Sequence, residues 1–462
     1  MTVQGRAPGL QGDAVTDAVT RTIVEPERRT PVIGEPEVLV VGGGAAGIAA
    51  ACAAARSGAD TLLIERFGFL GGTLTAVSLG GFCGTHAIVD DSRLARVVGG
   101  LYLDLEDRLG VRSAISPPVR QGRILGVPYD SVCLKLVADE MLAAHGAATL
   151  LHTQVVGVQV ERHRVVAVIV ENKGGRSAIC PRVVVDCSGD GDVAAFAGAE
   201  YSLGDNGRTQ AGSTMFRLSG VDTTTASKLT RPQIRELLER AVGEGYPLPR
   251  TATGVHVNPI EGVVHLNVTR LGRADGSTYD LTNPQDLTEA ERVGRTQAFL
   301  YEEVFRRYIP GFERARIVDI GAMVGIRETR LVKGEEVLTE EAVRSCTKPQ
   351  NRIACTSWPL ETHQGGRGTT WEFLPDGEYY GIPYGCLVVS GLENVLVAGR
   401  NLSATHVAQA SARVAGPCFA MGEAAGVAAA MAARRAVSAK DVPIDQLQEF
   451  LEREGAILTP EL

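Results

Sequence analysis

Residues 38–65 read V-L-V-V-G-G-G-A-A-G-I-A-A-A-C-A-A-A-R-S-G-A-D-T-L-L-I-E, and no other stretch restricts the fold as much. The apolar run Val38 to Val41 ends at Gly42. Small residues from Ala45 to Arg56 suit a closely packed helix, and the apolar run Thr61 to Ile64 is closed by Glu65. This order predicts a strand, helix, strand unit with Gly42, Gly44 and Gly47 in dinucleotide-binding spacing. Gly42 permits the tight turn, Gly44 leaves room for a pyrophosphate, and Gly47 lets the helix approach the sheet. Ala45 and Ala46 open a helix whose free N–H groups and dipole favour an anion there. Glu65 stands where an acid can accept hydrogen bonds from a ribose. Glycine-rich turns also arise for structural reasons alone, but here every part of the required context is in register.

A chain of 462 residues can bury a sizeable core, which predicts two closely associated domains. Its net charge of −8 argues against a generally basic nucleic-acid surface. No uninterrupted membrane span is legible: Gly422 to Ala433 is broken by Glu423 and suits a buried helix, so a cytoplasmic location is expected. The nine cysteines include no CxxC pair and read as small buried residues.

Residues 1–37 read as an arm whose extended apolar pieces from Thr22 pack either on the domain or on a second subunit, which leaves room for a homo-oligomer. After Glu65 the stretch from Arg66 to Thr73 carries Gly68, Gly71 and Gly72, a loop able to come close to a ligand, with a hydroxyl at Thr73. Cys83 and His86 have metal-ligand spacing, but no third or fourth ligand follows, so no metal is expected. Residues from Asp130 to Gly146 predict a helix, Thr149 to Val160 a strand, and Val165 to Glu171 with Ala178 to Asp186 a hairpin that re-enters the parallel sheet. Asp186 to Asp192 places Ser188, Gly189 and Asp192 at a strand end, where backbone groups face a ligand. From Tyr201 the chain changes character, with strands near Thr214 to Leu218, Gly262 to Val268 and Arg316 to Ile320, and helices over Arg231 to Val242 and Leu287 to Tyr308. Within it, Arg327 and Arg330 flank Glu328; either guanidinium can bind a carboxylate or simply pair with a neighbouring acid. His363 and Tyr384, beside the aromatic turn from Gly365, are candidates for proton transfer. A last strand at Val395 to Ala398 leads to Gly399, and a final helix starts near Val414 to Pro417, with Arg413 beside it.

Together V41-G-G-G-A-A-G47, E65-R-F-G-F-L-G-G-T73, V185-D-C-S-G-D190, G325-I-R-E-T-R330, I382-P-Y-G-C-L387, A398-G-R-N401 and G422-E-A-A-G426 resemble the two-dinucleotide-binding-domain flavoproteins. More narrowly, they resemble FAD-dependent oxidoreductases related to fumarate reductase-like flavoproteins. The resemblance implies an α/β fold: a Rossmann-like, glutathione reductase-like FAD-binding domain formed by residues 38–200 and 381–440, an inserted α+β substrate domain over 201–380, and a tail at 441–462. It implies FAD held by Gly42, Gly44, Ala45, Ala46, Gly47, Glu65, Arg66, Gly71, Gly72 and Thr73. Gln154 and Val155 would lie near the adenine, with Ser188, Gly189 and Asp192 alongside. Gly399 and Arg400 would return to the pyrophosphate, and Val414 would lie near the flavin ring.

The implied reaction is a two-electron, hydride oxidation or reduction of a small organic substrate through flavin N5. Arg327 and Arg413 would supply electrostatics, and His363 or Tyr384 would serve as acid or base. The resemblance leaves open whether oxygen, a quinone or a partner protein accepts the electrons. An FAD-dependent monooxygenase and a noncatalytic flavin-binding protein are the competing readings. The charged dicarboxylate site of the succinate and fumarate enzymes has no full counterpart here, and no second GxGxxG unit marks a separate NAD(P)H domain.

Overall fold

The computed structural model describes residues 23–363 and 368–462. Residues 1–22 of the expected arm and 364–367 of the expected aromatic turn lie outside the described residues.

Val38–Val41 (β1) is apolar on both faces, so it is stable only where both faces are covered. It lies in the middle of a five-stranded parallel sheet. The helix Ala45–Arg56 (α1) links it to Thr61–Ile64 (β2), and beyond β2 lies Ala148–Leu150 (β3). On the other side are Val183–Asp186 (β4) and Val395–Val397 (β5), giving the order β5-β4-β1-β2-β3. Alternation along β1 divides the core. Val38 and Val40 join one cluster with α1, while Leu39 and Val41 join another with Val155, Val168 and Val170 of the hairpin sheet.

That second sheet is formed by Val32–Gly34, Gly175–Ile179, Arg164–Asn172 and Gln154–Glu161. Val32–Gly34 pairs parallel with Gly175–Ile179, so this part of the arm packs on its own chain. Two expected strands are each divided between the sheets. The run from Ala178 to Asp186 breaks at Pro181, which has no N–H to give a ladder, so only β4 enters the parallel sheet. The run from Thr149 to Val160 breaks at Leu151 to Thr153, where His152 has φ +52°.

The helix Ala415–Arg435 (α4) packs against α1 without side chains between their backbones at two glycines. A Cβ on Gly422 would lie 2.1 Å from the Ala46 oxygen, and one on Gly426 2.2 Å from the Ala50 oxygen. Glycines four apart thus let the two helix backbones meet directly. Glu423 is buried between them and is satisfied by Arg56 Nη2 at 2.8 Å and the Leu101 N–H at 3.0 Å. Among the described residues no single helix is long and apolar enough to cross a membrane.

The intervening chain forms an antiparallel sheet in the order His256–Val257, Val264–Leu266, Phe216–Ser219, Arg316–Ile320. The helices Arg231–Gly243 (α2) and Pro284–Tyr308 (α3) cover it. Phe216, Leu266, Ile234, Leu238, Tyr301 and Phe305 form its core. The architecture is an α/β fold with Rossmann-type and mixed sheets.

Candidate active site

One cavity runs from the glycine turn after β1 to the inner face of the antiparallel sheet. At the turn the three glycines act differently. Gly42 has φ +98°, and a Cβ there would sit 2.5 Å from the Cys187 oxygen. A Cβ on Gly47 would sit 1.8 Å from the Gly42 oxygen. Both are required by the fold itself. Gly44 is different: its added Cβ would meet nothing closer than the Gly72 Cα at 3.9 Å, so the protein leaves that space empty.

Gly44 caps α1 without a side-chain hydrogen bond, and the first intrahelical bond is Ile48 N to Gly44 O at 2.9 Å. The N–H groups of Ala45 and Ala46, both on the cavity wall, therefore have no acceptor within the helix. Glu65 is buried with Oε2 accepting from the Gly43 N–H at 2.7 Å and Oε1 from the Phe67 N–H at 2.8 Å. These bonds fix its carboxylate on the wall beside Arg66. Across the cavity, Arg400 pairs with Asp190 at 2.7 Å, and Thr329 Oγ1 donates to the same carboxylate at 2.7 Å. The N-terminus of α4 adds Val414 and Ala415, again with no side-chain cap.

At the other end Arg231, Arg250, Arg327 and Arg413 reach the wall from four separate segments, with Glu361 among them. Arg327 is buried and held by the Ala211 oxygen at 2.7 Å, Ser213 Oγ at 2.8 Å and Asn267 Oδ1 at 3.2 Å. Burial pulls its pKa well down, and Arg413 and Arg250 add repulsion. Guanidinium is nonetheless so basic that the group keeps its charge. Glu361 lies 3.9 Å from Arg413 and 2.9 Å from His363 Nε2. Burial opposes its ionisation, but the His363 hydrogen bond and the charges of Arg413 and Arg327 outweigh that and hold its pKa below the usual carboxylate range. His363 is neutral because burial and Arg327 push its pKa well below the usual value. His256, also on the wall, is brought to about 4 by burial and by Arg231 and Arg250. Trp358 and Trp371 pack edge to face at 6.0 Å and form the apolar part of this end.

The sequence matches the family described as FAD dependent oxidoreductase over residues 37–451. The chain belongs to that family. No curated protein matches it. Solved structures similar to this FAD dependent oxidoreductase include a geranylgeranyl bacteriochlorophyll reductase-like protein from Thermoplasma acidophilum, at 14% identity and TM-score 0.44 over 91% of this chain and 84% of that one. An aromatic hydroxylase from angucycline biosynthesis has 16% identity and TM-score 0.46 over 91% and 66%. The p-nitrophenol 4-monooxygenase of Pseudomonas putida DLL-E4 has 14% identity and TM-score 0.45 over 91% and 86%.

Of the residues singled out in the sequence, Gly42, Gly44, Ala45, Ala46, Glu65, Arg66, Gly72, Thr73, Ser188, Gly189, Gly399, Arg400, Val414, Arg327 and Arg413 line the cavity of this oxidoreductase. Gly47 and Gly71 stand behind the turn, the latter donating its N–H to the Gly43 oxygen at 2.7 Å. Gln154 and Val155 pair with Glu171 and Val170 in the hairpin sheet, away from the wall. Asp192 is turned to Arg330, 3.0 Å away. Tyr384 lies off the wall: its buried hydroxyl donates to the Ala439 oxygen at 2.7 Å, and burial raises its pKa. His363 backs Glu361 rather than facing the cavity. Cys83 is on the wall but His86 is not, and among the described residues no three His, Cys, Asp or Glu side chains gather as metal ligands.

Sequence reasoning missed Arg231, Arg250, His256, Asn267, Trp358 and Glu361, which only tertiary folding brings together: His256 comes from the antiparallel sheet, Arg231 from α2 and Glu361 from the separate strand Leu360–Thr362. One local signal was available. Arg231 is in the first turn of α2, the end where the helix dipole disfavours a cation.

Proposed function

We propose that the protein catalyses a two-electron, hydride-transferring oxidation or reduction of a small organic molecule, with FAD lying along this cavity. The observation that carries the reading is the continuity of one cavity from the glycine turn to the buried arginine cluster. The unfilled space at Gly44 and the unpaired N–H groups of Ala45 and Ala46 suit the pyrophosphate. Glu65 and Arg66 suit the adenosine half; Gly72, Thr73, Ser188, Gly189, Gly399 and Arg400 the stretch between; and Val414 with Ala415 the ring. When bound, FAD supplies a two-electron donor or acceptor.

The chain's own groups then orient the substrate and set the local field. Arg327 is held rigidly by three oxygen acceptors and presents a positive charge at a fixed point, as stabilisation of developing negative charge requires. Glu361, its pKa held low by the neighbouring arginines, stays ionised at neutral pH, and its place between Arg413 and His363 makes it a positioning residue. His256, brought to about 4 by burial and its arginine neighbours, stays an uncharged imidazole on the wall and can exchange a hydrogen bond with a bound molecule without taking on charge at neutral pH.

The test is anaerobic titration of the flavin-loaded protein with small alcohols, amines and organic acids, followed by visible absorbance. Direct bleaching by a compound from the panel supports the proposal. Bleaching only by NAD(P)H, followed by oxygen-dependent hydroxylation of a panel compound, would replace it with the monooxygenase reading. Failure to take up FAD on reconstitution would end both.

A further inference from the structure

The cavity end distant from the glycine turn holds more positive charge than the protein itself neutralises. Four guanidiniums line it, Arg231, Arg250, Arg327 and Arg413, against the single carboxylate of Glu361 among the described wall residues there. His256 and His363 add no charge at neutral pH, Arg400 is already matched by Asp190, and of the groups behind the wall Arg270 adds a further cation while Glu328, which also acts on Arg413, is taken up by His406.

The hydrogen bonding of the cluster points the same way. Nε and Nη2 of Arg413 are buried with no hydrogen-bond partner, and the nearest carboxylate oxygen is 3.9 Å off. Arg250 Nε is likewise buried and unpartnered, while its Nη1 and Nη2 reach only neutral acceptors, the Asn267 oxygen at 3.1 Å and Thr369 Oγ1 at 3.3 Å. Arg231 is at the N-terminal turn of α2, where the helix dipole works against it. Burial is the leading cause that lowers the pKa of Arg231, Arg250, Arg327 and Arg413 alike. A buried cation cluster short of anions is unfavourable unless something else supplies the negative charge, and planar guanidiniums match a carboxylate best.

We infer that the substrate is a small organic acid bound as its anion, its carboxylate held by Arg413, Arg250 and Arg231 and its apolar body set against Trp358 and Trp371. This rests on the reading of the cavity as the FAD-linked substrate site. It adds the substrate's chemical class, which the family match does not provide.

The experiment uses the flavin-loaded protein. Benzoate, phthalate and succinate are each titrated beside their neutral amides, and the shift of the oxidised flavin spectrum reports binding. At least one acid is expected to bind about tenfold or more tightly than its amide, and less tightly as salt is raised. Arg413→Ala and Arg231→Ala should each weaken that acid by about tenfold, with partial recovery in Arg413→Lys. Arg235→Ala, an exposed change on the same helix, should leave the acid's affinity as it was.

Flavin content separates two kinds of failure. Protein that holds FAD but binds no panel acid, binds acid and amide equally, or keeps its acid affinity in both alanine variants overturns the inference and leaves the FAD reading standing. Protein that takes up no FAD overturns the reading beneath it.

Discussion

Replacing Gly44 by aspartate should stabilise the FAD-free protein slightly while stripping it of cofactor. Gly44 has φ −75° and ψ −170°, an extended conformation open to any residue, and a Cβ there finds its nearest neighbour at 3.9 Å. Aspartate at this position can accept from the next turn's free N–H groups and complement the helix dipole, a gain of about 0.5–1 kcal/mol. In a protein of this size that shifts the melting point by only about 1 °C. The same carboxylate would occupy the space suited to a pyrophosphate. At about 4 Å and an effective dielectric constant near 20, one added negative charge costs about 4 kcal/mol, roughly a thousandfold in affinity. The assay has two parts: a thermal melt of the apoprotein, and fluorescence titration of the apoprotein with FAD. Gly47→Ala is the contrast, because its Cβ would lie 1.8 Å from the Gly42 oxygen, so it should destabilise the apoprotein itself by about 3 kcal/mol. A folded Gly44→Asp protein with a full complement of flavin would refute the assignment of this turn.

Gly426→Ala should lower apoprotein stability by about 1–3 kcal/mol, read from a denaturant titration, since the new methyl meets the Ala50 oxygen at 2.2 Å; an unchanged midpoint would show that α1 and α4 separate freely. Glu361→Gln should cost about 2 kcal/mol in a melt at neutral pH by removing the carboxylate among four arginines, and added benzoate should recover more of that loss than it adds to the wild type. Equal benzoate effects in both proteins would dissociate Glu361 from the anion site. For His406, burial acts to lower the pKa, but the hydrogen bond and charge of Glu328, 2.7 Å away, raise it above 6.5. A raised native pKa gives stability that is complete below about pH 6.5 and lost as pH rises through the native value. Urea midpoints should therefore fall over that window in the wild type and stay flat in His406→Gln; parallel curves would exclude this pair as the source.

The glycine turn was legible because its whole constraint is local. Four buried residues, a left-handed glycine and a small-residue helix follow one another in the chain, and their consequences for Gly42, Gly44 and Gly47 need no long-range contact. The division of the run from Ala178 to Asp186 was less legible, since apolar residues stand on both sides of Pro181 while the backbone changes sheet. Tyr384 and Asp192 show a different limit. Both have chemistry suited to a site and lie near motifs that do face it, yet each finds its partner elsewhere, at Ala439 and Arg330, and residue type does not reveal which partner wins.

The cationic end was least legible because its members come from four segments spread along the chain from Arg231 to Arg413, each ordinary in its own context. Arg327 and Arg413 were singled out through neighbouring motifs, whereas Arg231 reads as an unremarkable helix residue and Arg250 as part of a loop. What marks them in retrospect is conflict between levels. A cation at the wrong helix end, a guanidinium nitrogen buried without an acceptor, and a carboxylate outnumbered by arginines are each costly to the folded chain alone. Such costs persist where a ligand offsets them. The two ends of the cavity therefore differ in kind: at Gly44 the protein leaves space that backbone donors can use, and at Arg413 it leaves charge that a substrate can use.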